Sequence, residues 1–101
     1  MGRSIEYKSS FKKTAKKHIN EYDDKQLQSL LQMIAEGKNL PEKYKDHKLR
    51  KPWKKGDKKP YREFHITNRL VVVYLILKDS IEVYALGTHK ELSLAEKLKL
   101  K

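Results

Sequence analysis

Cysteine is absent from this 101-residue chain, which excludes disulfides and thiolate metal sites and fits a reducing compartment. Glycine and proline are scarce, with four and three residues, and no glycine-rich phosphate loop is present. No apolar run approaches the roughly 18 residues of a transmembrane helix, and no signal-peptide pattern is found. We therefore expect one cytoplasmic domain, spanning residues 1–101, with no membrane partner.

Acidic residues are also few. Thirteen Asp and Glu oppose 24 Lys and Arg, for a formal net charge of +11. The excess is concentrated in residues 43–59, which hold nine basic and two acidic residues. Such a field attracts polyanions, and we favour a nucleic acid as the partner. The same charge also suits acidic proteins, membrane surfaces or a simple solvated loop.

Residues 61–91 contain the longest apolar run of the chain, LVVVYLIL at 70–77. Its β-branched and aromatic residues are apolar on both faces, which predicts a central strand covered on both sides. Turn residues on either side predict antiparallel neighbours at 61–66 and 81–87. His65 ends the first neighbour and His89 follows the last, so we expect these two strand ends to meet.

The N-terminal half is predicted to be mainly helical. Residues 3–7 alternate as a short strand, and apolar residues recur at helical spacing over 10–20. A second helix begins at Asp23 or Asp24 and ends before Gly37, and the two helices form a hairpin on the sheet. Residues 40–59 form a long, partly ordered loop, and a short helix is predicted over 94–100.

Three of the four histidines lie at positions that suit catalysis: His47 in the basic loop, His65 at a strand end and His89 in a turn. Histidine exchanges protons near neutral pH, and arginine holds phosphate. Together with Arg62 and Arg69, they describe a ribonuclease that needs no metal or other cofactor. His18, among helix lysines, is interpreted as a surface or boundary residue without a role.

Less specific interpretations remain open for the same residues. Histidines at strand ends are often ordinary hydrogen-bonded polar residues. A three-histidine metal site is disfavoured because the spacing of His47, His65 and His89 matches no ligand motif and no local carboxylate supports it. Trp53 either stacks on a base or pins the basic loop to the core.

Five short motifs carry a family resemblance: YKDHKL, Trp53, YREFHI, VVVY and GTHKEL, in that order along the chain. Together with the helical hairpin they resemble the RelE/ParE superfamily of bacterial type II toxins, and most closely its YafQ-like branch. The resemblance implies an α+β fold of order β-α-α-β-β-β, with the helical hairpin on a small antiparallel-rich sheet. It also implies an mRNA interferase that cuts the codon in the ribosomal A site without a metal. The implied partners are the 70S ribosome, mRNA and a cognate antitoxin, and the toxin–antitoxin complex binds operator DNA.

By this resemblance, His47, His65 and His89 match the three histidines of the branch, and Arg62 matches a basic position beside them. We expect His65 and His89 to transfer protons, His47 to assist, and Arg62 and Arg69 to hold phosphate. The RNA-binding residues are predicted to be Lys48, Arg50, Lys51, Trp53, Lys54, Lys55 and Lys90.

Two departures from the branch are visible. Arg69, or Asn68 with a shift of one residue, stands where the branch usually has an acidic residue, and Ser93 stands where it has an aromatic one. An arginine at 69 resembles the RelE side of the superfamily, where basic residues carry more of the catalysis. The alternative functions for the same fold are inhibition of DNA gyrase, as in ParE, and RNA binding without catalysis.

Overall fold

Two helices and five strands make up the regular structure in the computed structural model, which describes residues 2–49 and 59–92. The elements in chain order are β1 (Ser4–Tyr7), α1 (Ser9–Lys16), α2 (Asp24–Ala35), a 3₁₀ turn (Glu42–Tyr44), β2 (His47–Lys48), β3 (Arg62–His65), β4 (Val71–Ile76) and β5 (Ser80–Gly87). The predicted α+β class and helical hairpin are confirmed. The predicted helix over 94–100 lies outside the described residues.

The strands form one mixed sheet in the order β1-β5-β4-β3-β2. β1 runs parallel to β5, and the other pairs are antiparallel. β4 is therefore the central strand of the predicted three-strand meander. The fifth strand, β2, was not predicted, because it has only two residues, both exposed, and forms by pairing with the edge of β3.

The second helix follows its sequence signals at both ends. The Asp23 side chain accepts a hydrogen bond from the Lys25 N–H, as an N-cap does. Gly37 follows the helix with φ of +80°, a left-handed conformation that favours glycine.

The first helix ends at Lys16, four residues earlier than predicted. The Lys17 and His18 N–H groups donate to carbonyls three residues back, and the chain then turns through residues 17–22. This turn buries His18, so its interpretation as a surface or boundary residue is wrong. Local periodicity did not show the tertiary partners that hold the ring.

Both faces of β4 are covered, as predicted. One face joins the helices in a core that includes Leu31, Phe64 and Tyr74. The other packs Val71, Val73 and Leu75 against a smaller apolar cluster. The sheet is therefore supported on both sides up to the end where β3 and β5 stop. Within the described residues, no helix is long and apolar enough to cross a membrane.

Candidate active site

Two predicted catalytic histidines meet at one end of the sheet. The register pairs His65 with Val71 and Val71 with Gly87, so the last residues of β3 and β5 lie on either side of the first residue of β4. His89 follows two residues after Gly87. The His65 and His89 rings are edge to face, with 5.3 Å between their centroids. The prediction that these strand ends meet is confirmed.

Glu63 is the centre of the histidine cluster. Its side chain is buried, and its two oxygens lie 2.8 Å from His47 Nε2 and 3.1 Å from His89 Nε2. The expectation that no carboxylate lies near the histidines is therefore wrong. Glu63 and His65 are two residues apart in a strand and share a face, and this alternation was the available sequence signal.

His47 reaches this cluster because the loop before it makes a constrained turn. Lys45 has φ of 50° and ψ of 44°, the left-handed conformation that few non-glycine residues adopt. Its carbonyl accepts a hydrogen bond from His47 Nδ1 at 2.7 Å. Pairing of β2 with β3 then places His47 opposite Glu63. His47 is thus oriented through both ring nitrogens.

The His65 ring differs electrostatically from the other two. Partial burial lowers the pKa of His65, and the nearby His89, Lys45 and His47 lower it further, while Glu63 opposes the change. The neutral ring, which can accept a proton, is therefore the main form near neutral pH.

The two predicted phosphate-binding arginines do not join the histidines. Arg62 Nε donates to the buried Tyr74 hydroxyl at 3.1 Å and lies 3.4 Å from Asp46 Oδ1. Tyr74 belongs to the helix-facing core, whereas Glu63 and His65 project from the other face of β3. Arg69 pairs with Glu21 beyond the turn that follows β3.

The predicted RNA-binding residues are only partly described. Lys48 and Lys90 are exposed, in β2 and in the turn after His89. Arg50, Lys51, Trp53, Lys54 and Lys55 lie outside the described residues, as does Ser93.

A hydrogen-bonded turn carries His89. The Thr88 N–H donates to Glu91 Oε1 at 2.9 Å, and the Glu91 N–H donates to Thr88 Oγ1 at 3.0 Å. A Cβ on Gly87 would lie 2.8 Å from Glu91 Oε1, so the glycine allows this close return. The buried His18 ring lies 2.7 Å from the same Glu91 oxygen.

His18 connects this turn to the first helix. Its Nδ1 lies 2.9 Å from Glu21 Oε2, and these two carboxylates raise the pKa of His18, Glu21 most strongly, while burial opposes them. The sequence did not reveal this role, because Glu91 is 73 residues away.

A cavity of about 300 Å³ opens beside His65. Its walls come from α2, the 3₁₀ turn and the chain after β3, and they include Gln26, Tyr44, Lys45 and Asn68. It is lined by polar and basic groups around one aromatic ring. Its position next to a predicted catalytic histidine makes it a candidate for substrate contact.

Three side chains of the cluster could also hold a metal ion. Glu63, His65 and His89 can each offer one ligand atom, and these atoms all lie within 4.8 Å of one another. Imidazole with carboxylate is a donor set that suits zinc and copper. The donors therefore fit a metal, although no ligand motif is visible in the sequence.

The sequence matches one family over most of its length. The family is described as the bacterial toxin of a type II toxin–antitoxin system, YafQ, and the match covers residues 3–94. The chain belongs to the YafQ toxin family. The resemblance inferred from the short motifs is thereby confirmed.

Solved structures of YafQ-like toxins share this fold. A metal-bound toxin from Helicobacter pylori is 36% identical, with a TM-score of 0.77, and the alignment covers 91% of this chain and 99% of that one. A copper-bound mutant toxin from the same organism is 32% identical over the same shares, also with a TM-score of 0.77. The toxin of an Escherichia coli DinJ–YafQ complex is 32% identical over 89% and 97%, with a TM-score of 0.70. No significant match was found among curated protein sequences.

Proposed function

We propose that this YafQ-family toxin is an mRNA interferase, a ribosome-dependent endoribonuclease that cuts mRNA in the A site and so inhibits translation. The observation that carries the proposal is the convergence of His47, His65 and His89 on Glu63 at one end of the sheet. Such a cluster offers proton donors and acceptors near neutral pH.

His65 is proposed as the general base, because partial burial lowers the pKa of its ring and the residue is among those that line the open cavity. It accepts the proton of the ribose 2′-hydroxyl. The 2′-oxygen then bonds to the adjacent phosphorus, and the bond from phosphorus to the 5′-oxygen breaks. This step forms a 2′,3′-cyclic phosphate.

His89 is proposed as the general acid that gives a proton to the leaving 5′-oxygen. Glu63 accepts a hydrogen bond from His89 Nε2 and compensates the charge of its imidazolium form. His47, held between Glu63 and the Lys45 carbonyl, completes the orientation of the carboxylate. These are steps that need no metal.

Recognition of the ribosome is assigned to the basic segment 43–59, through contacts with ribosomal RNA phosphates. The positions of Arg62 and Arg69 do not favour the phosphate contacts predicted for them, because each arginine already pairs with a carboxylate.

The test is primer extension on a defined mRNA in a reconstituted translation system. The wild-type toxin is expected to create a new 5′ end inside the A-site codon, only with ribosomes. His65→Ala and His89→Ala should each slow cleavage by about 10²–10⁴-fold, the usual contribution of a general acid or base. Lys78→Ala, at the opposite end of β4, is the matched control and should cleave normally.

Full cleavage by both histidine variants would contradict the assignment of the site. Intact mRNA with the wild-type toxin would contradict the function itself. Inhibition of DNA supercoiling by the same sample would then support the gyrase alternative.

An antitoxin is the proposed protein partner. The toxin in the E. coli neighbour is in complex with DinJ, and the excess of positive charge on this chain suits an acidic, amphipathic segment. The partner should be encoded next to the toxin. Its co-expression should restore growth, and the complex should bind the operator DNA of the pair.

We also propose that Glu63, His65 and His89 bind Cu²⁺ or Zn²⁺, as the metal-bound H. pylori toxins suggest. The ion would inhibit cleavage, because coordination occupies the nitrogen atoms needed for proton transfer. Calorimetry should find one tight site, lost in His89→Ala and Glu63→Gln and kept in Glu6→Gln. Equal metal binding by the wild type and all three variants would show that the metal binds at another site.

A further inference from the structure

The cavity beside His65 is lined by lysines, which the histidine cluster itself lacks. Glu63 places a carboxylate among the three histidines, and both predicted arginines are paired elsewhere. A ribonuclease site nevertheless needs a cation for the phosphate, whose negative charge grows during the reaction. The cavity next to the cluster supplies lysine, aromatic and amide groups in one place.

Lys45 is the cation best placed for this role. It lines the cavity together with His65, and, in addition to partial burial, its positive charge helps to lower the pKa of His65. Among the residues that the structure describes, no carboxylate forms an ion pair with Lys45. Lys45 is exposed, so its side chain is available to an anionic ligand.

The backbone of Lys45 is held in place. Its left-handed conformation costs free energy in a non-glycine residue and persists only where neighbouring contacts enforce it. Here the Lys45 carbonyl receives the His47 Nδ1–H bond, and the Lys45 N–H donates to the Glu42 carbonyl. Lys45 thus orients His47 through its backbone carbonyl and offers a cation to a ligand through its side chain.

The rest of the cavity wall is suited to a nucleotide. The Tyr44 ring packs against the core, and its hydroxyl accepts a hydrogen bond from Gln26 Nε2 at 3.0 Å, so the ring is fixed. Asn68 presents an amide that can both donate and accept, which is what the edge of a base requires. A volume of about 300 Å³ is at the lower limit for small-ligand pockets.

We propose that this cavity is the subsite for an RNA nucleotide next to the cleaved bond, with Lys45 binding its phosphate and Asn68 contacting its base. The inference rests on the proposed ribonuclease function for its place in the reaction, but binding itself can be tested separately.

The first experiment measures single-turnover cleavage by ribosome-bound toxin. Lys45→Ala should slow cleavage by about 10- to 100-fold, the usual effect of losing a charged hydrogen bond. Lys45→Arg should retain most of the rate because it keeps the charge. Lys78→Ala is the matched loss of an exposed lysine, and thermal unfolding of each variant shows that it is folded. Asn68→Ala should change the relative rates on different A-site codons.

The second experiment uses no cleavage. A short single-stranded RNA with 2′-O-methyl groups, which cannot react, is titrated into the ¹⁵N-labelled full chain. Amide shifts should concentrate at Tyr44, Lys45 and Asn68, and Lys45→Ala should reduce the salt slope of binding by about one.

The outcomes separate the two proposals. If the wild type cleaves mRNA and Lys45→Ala cleaves equally well, the subsite is wrong and the function stands. If the wild type does not cleave but the RNA shifts the cavity amides, the function is wrong, and the cavity is an RNA-binding site without a place in a cleavage reaction. RNA shifts confined to other surfaces would overturn the subsite in either case.

Discussion

At the scale of single residues, Glu63 is the side chain on which the candidate site depends. It is buried, yet both of its oxygens have imidazole partners, so its burial is compensated by charge-assisted hydrogen bonds. The same arrangement fixes His47 and His89 relative to His65. A buried carboxylate that binds two histidines therefore marks this end of the sheet as a candidate functional site.

The first residue-scale prediction concerns Glu63→Gln. The substitution keeps the shape but removes the negative charge, so the two histidines lose their common anionic partner. Cleavage is expected to fall by at least about tenfold, in line with the effect of partners that orient catalytic histidines. Primer extension measures the rate, and circular dichroism confirms the fold.

Glu6→Gln is the control, since Glu6 is exposed on β1 and away from the histidine cluster. Unchanged cleavage by Glu63→Gln would show that the carboxylate has no part in the reaction.

At the scale of elements, the turn after β5 and the end of α1 act as one unit. His18 bridges Glu21 and Glu91, and Glu91 closes the turn that carries His89. Arg69 also pairs with Glu21, so the turn after β3 joins the same network. The end of α1 and the turn after β5, which are far apart in sequence, together hold His89 in the histidine cluster.

The second prediction follows from the protonation of His18. The Glu21 and Glu91 carboxylates raise its pKa above the unfolded value of about 6.5. The stabilisation is therefore fully present below pH 6.5 and is lost as the pH rises through the higher folded pKa. The unfolding free energy of the wild type should exceed that of His18→Gln most at about pH 5.5, and the difference should shrink towards pH 8.5.

Denaturant unfolding of both proteins across this range measures the difference. Both carboxylates stay ionised there and do not reverse the trend, because the hydrogen bond with His18 lowers the pKa of Glu21 and the hydrogen bond from the Thr88 N–H lowers the pKa of Glu91. A difference that grows with pH would contradict the proposed His18 bridge.

At the scale of the whole molecule, the main feature is the uneven distribution of positive charge along the chain. The formal net charge is +11, and the segment 43–59 supplies the largest share. This segment begins at the cavity, where Lys43 and Lys45 lie, and continues past β2. Lys43 and Lys45 therefore bring positive charge next to the candidate active site.

The third prediction is a strong salt dependence of ribosome binding. Each lysine–phosphate contact releases counterions, so the logarithm of the affinity should fall linearly with the logarithm of the salt concentration. Replacing Lys51, Lys54 and Lys55 by Gln should lower both the affinity and the steepness of this fall. Sedimentation with purified ribosomes measures both, and the matched control replaces Lys12, Lys13 and Lys78. Equal salt slopes for the two triple variants would show that the ribosome contacts another surface of the toxin.

Much of the fold was determined by the sequence itself. The apolar run at 70–77 predicted the central strand, and the signals at Asp23 and Gly37 predicted both ends of the second helix, because burial periodicity and capping are local properties. The turn residues on either side of the apolar run predicted an antiparallel meander, and with it that the strand ends bearing His65 and His89 meet.

Only the tertiary structure decided which polar side chains share the site. Glu63 faces the histidines because β2 pairs with β3 in one particular register, and Arg62 faces the other way because neighbouring residues of a strand alternate. His18 becomes buried because Glu91 reaches it across 73 residues of sequence. The alternation of a strand is a local pattern, but the register of β2 and the pairing of His18 with Glu91 arise from packing of the whole chain, and no local pattern in the sequence contains them.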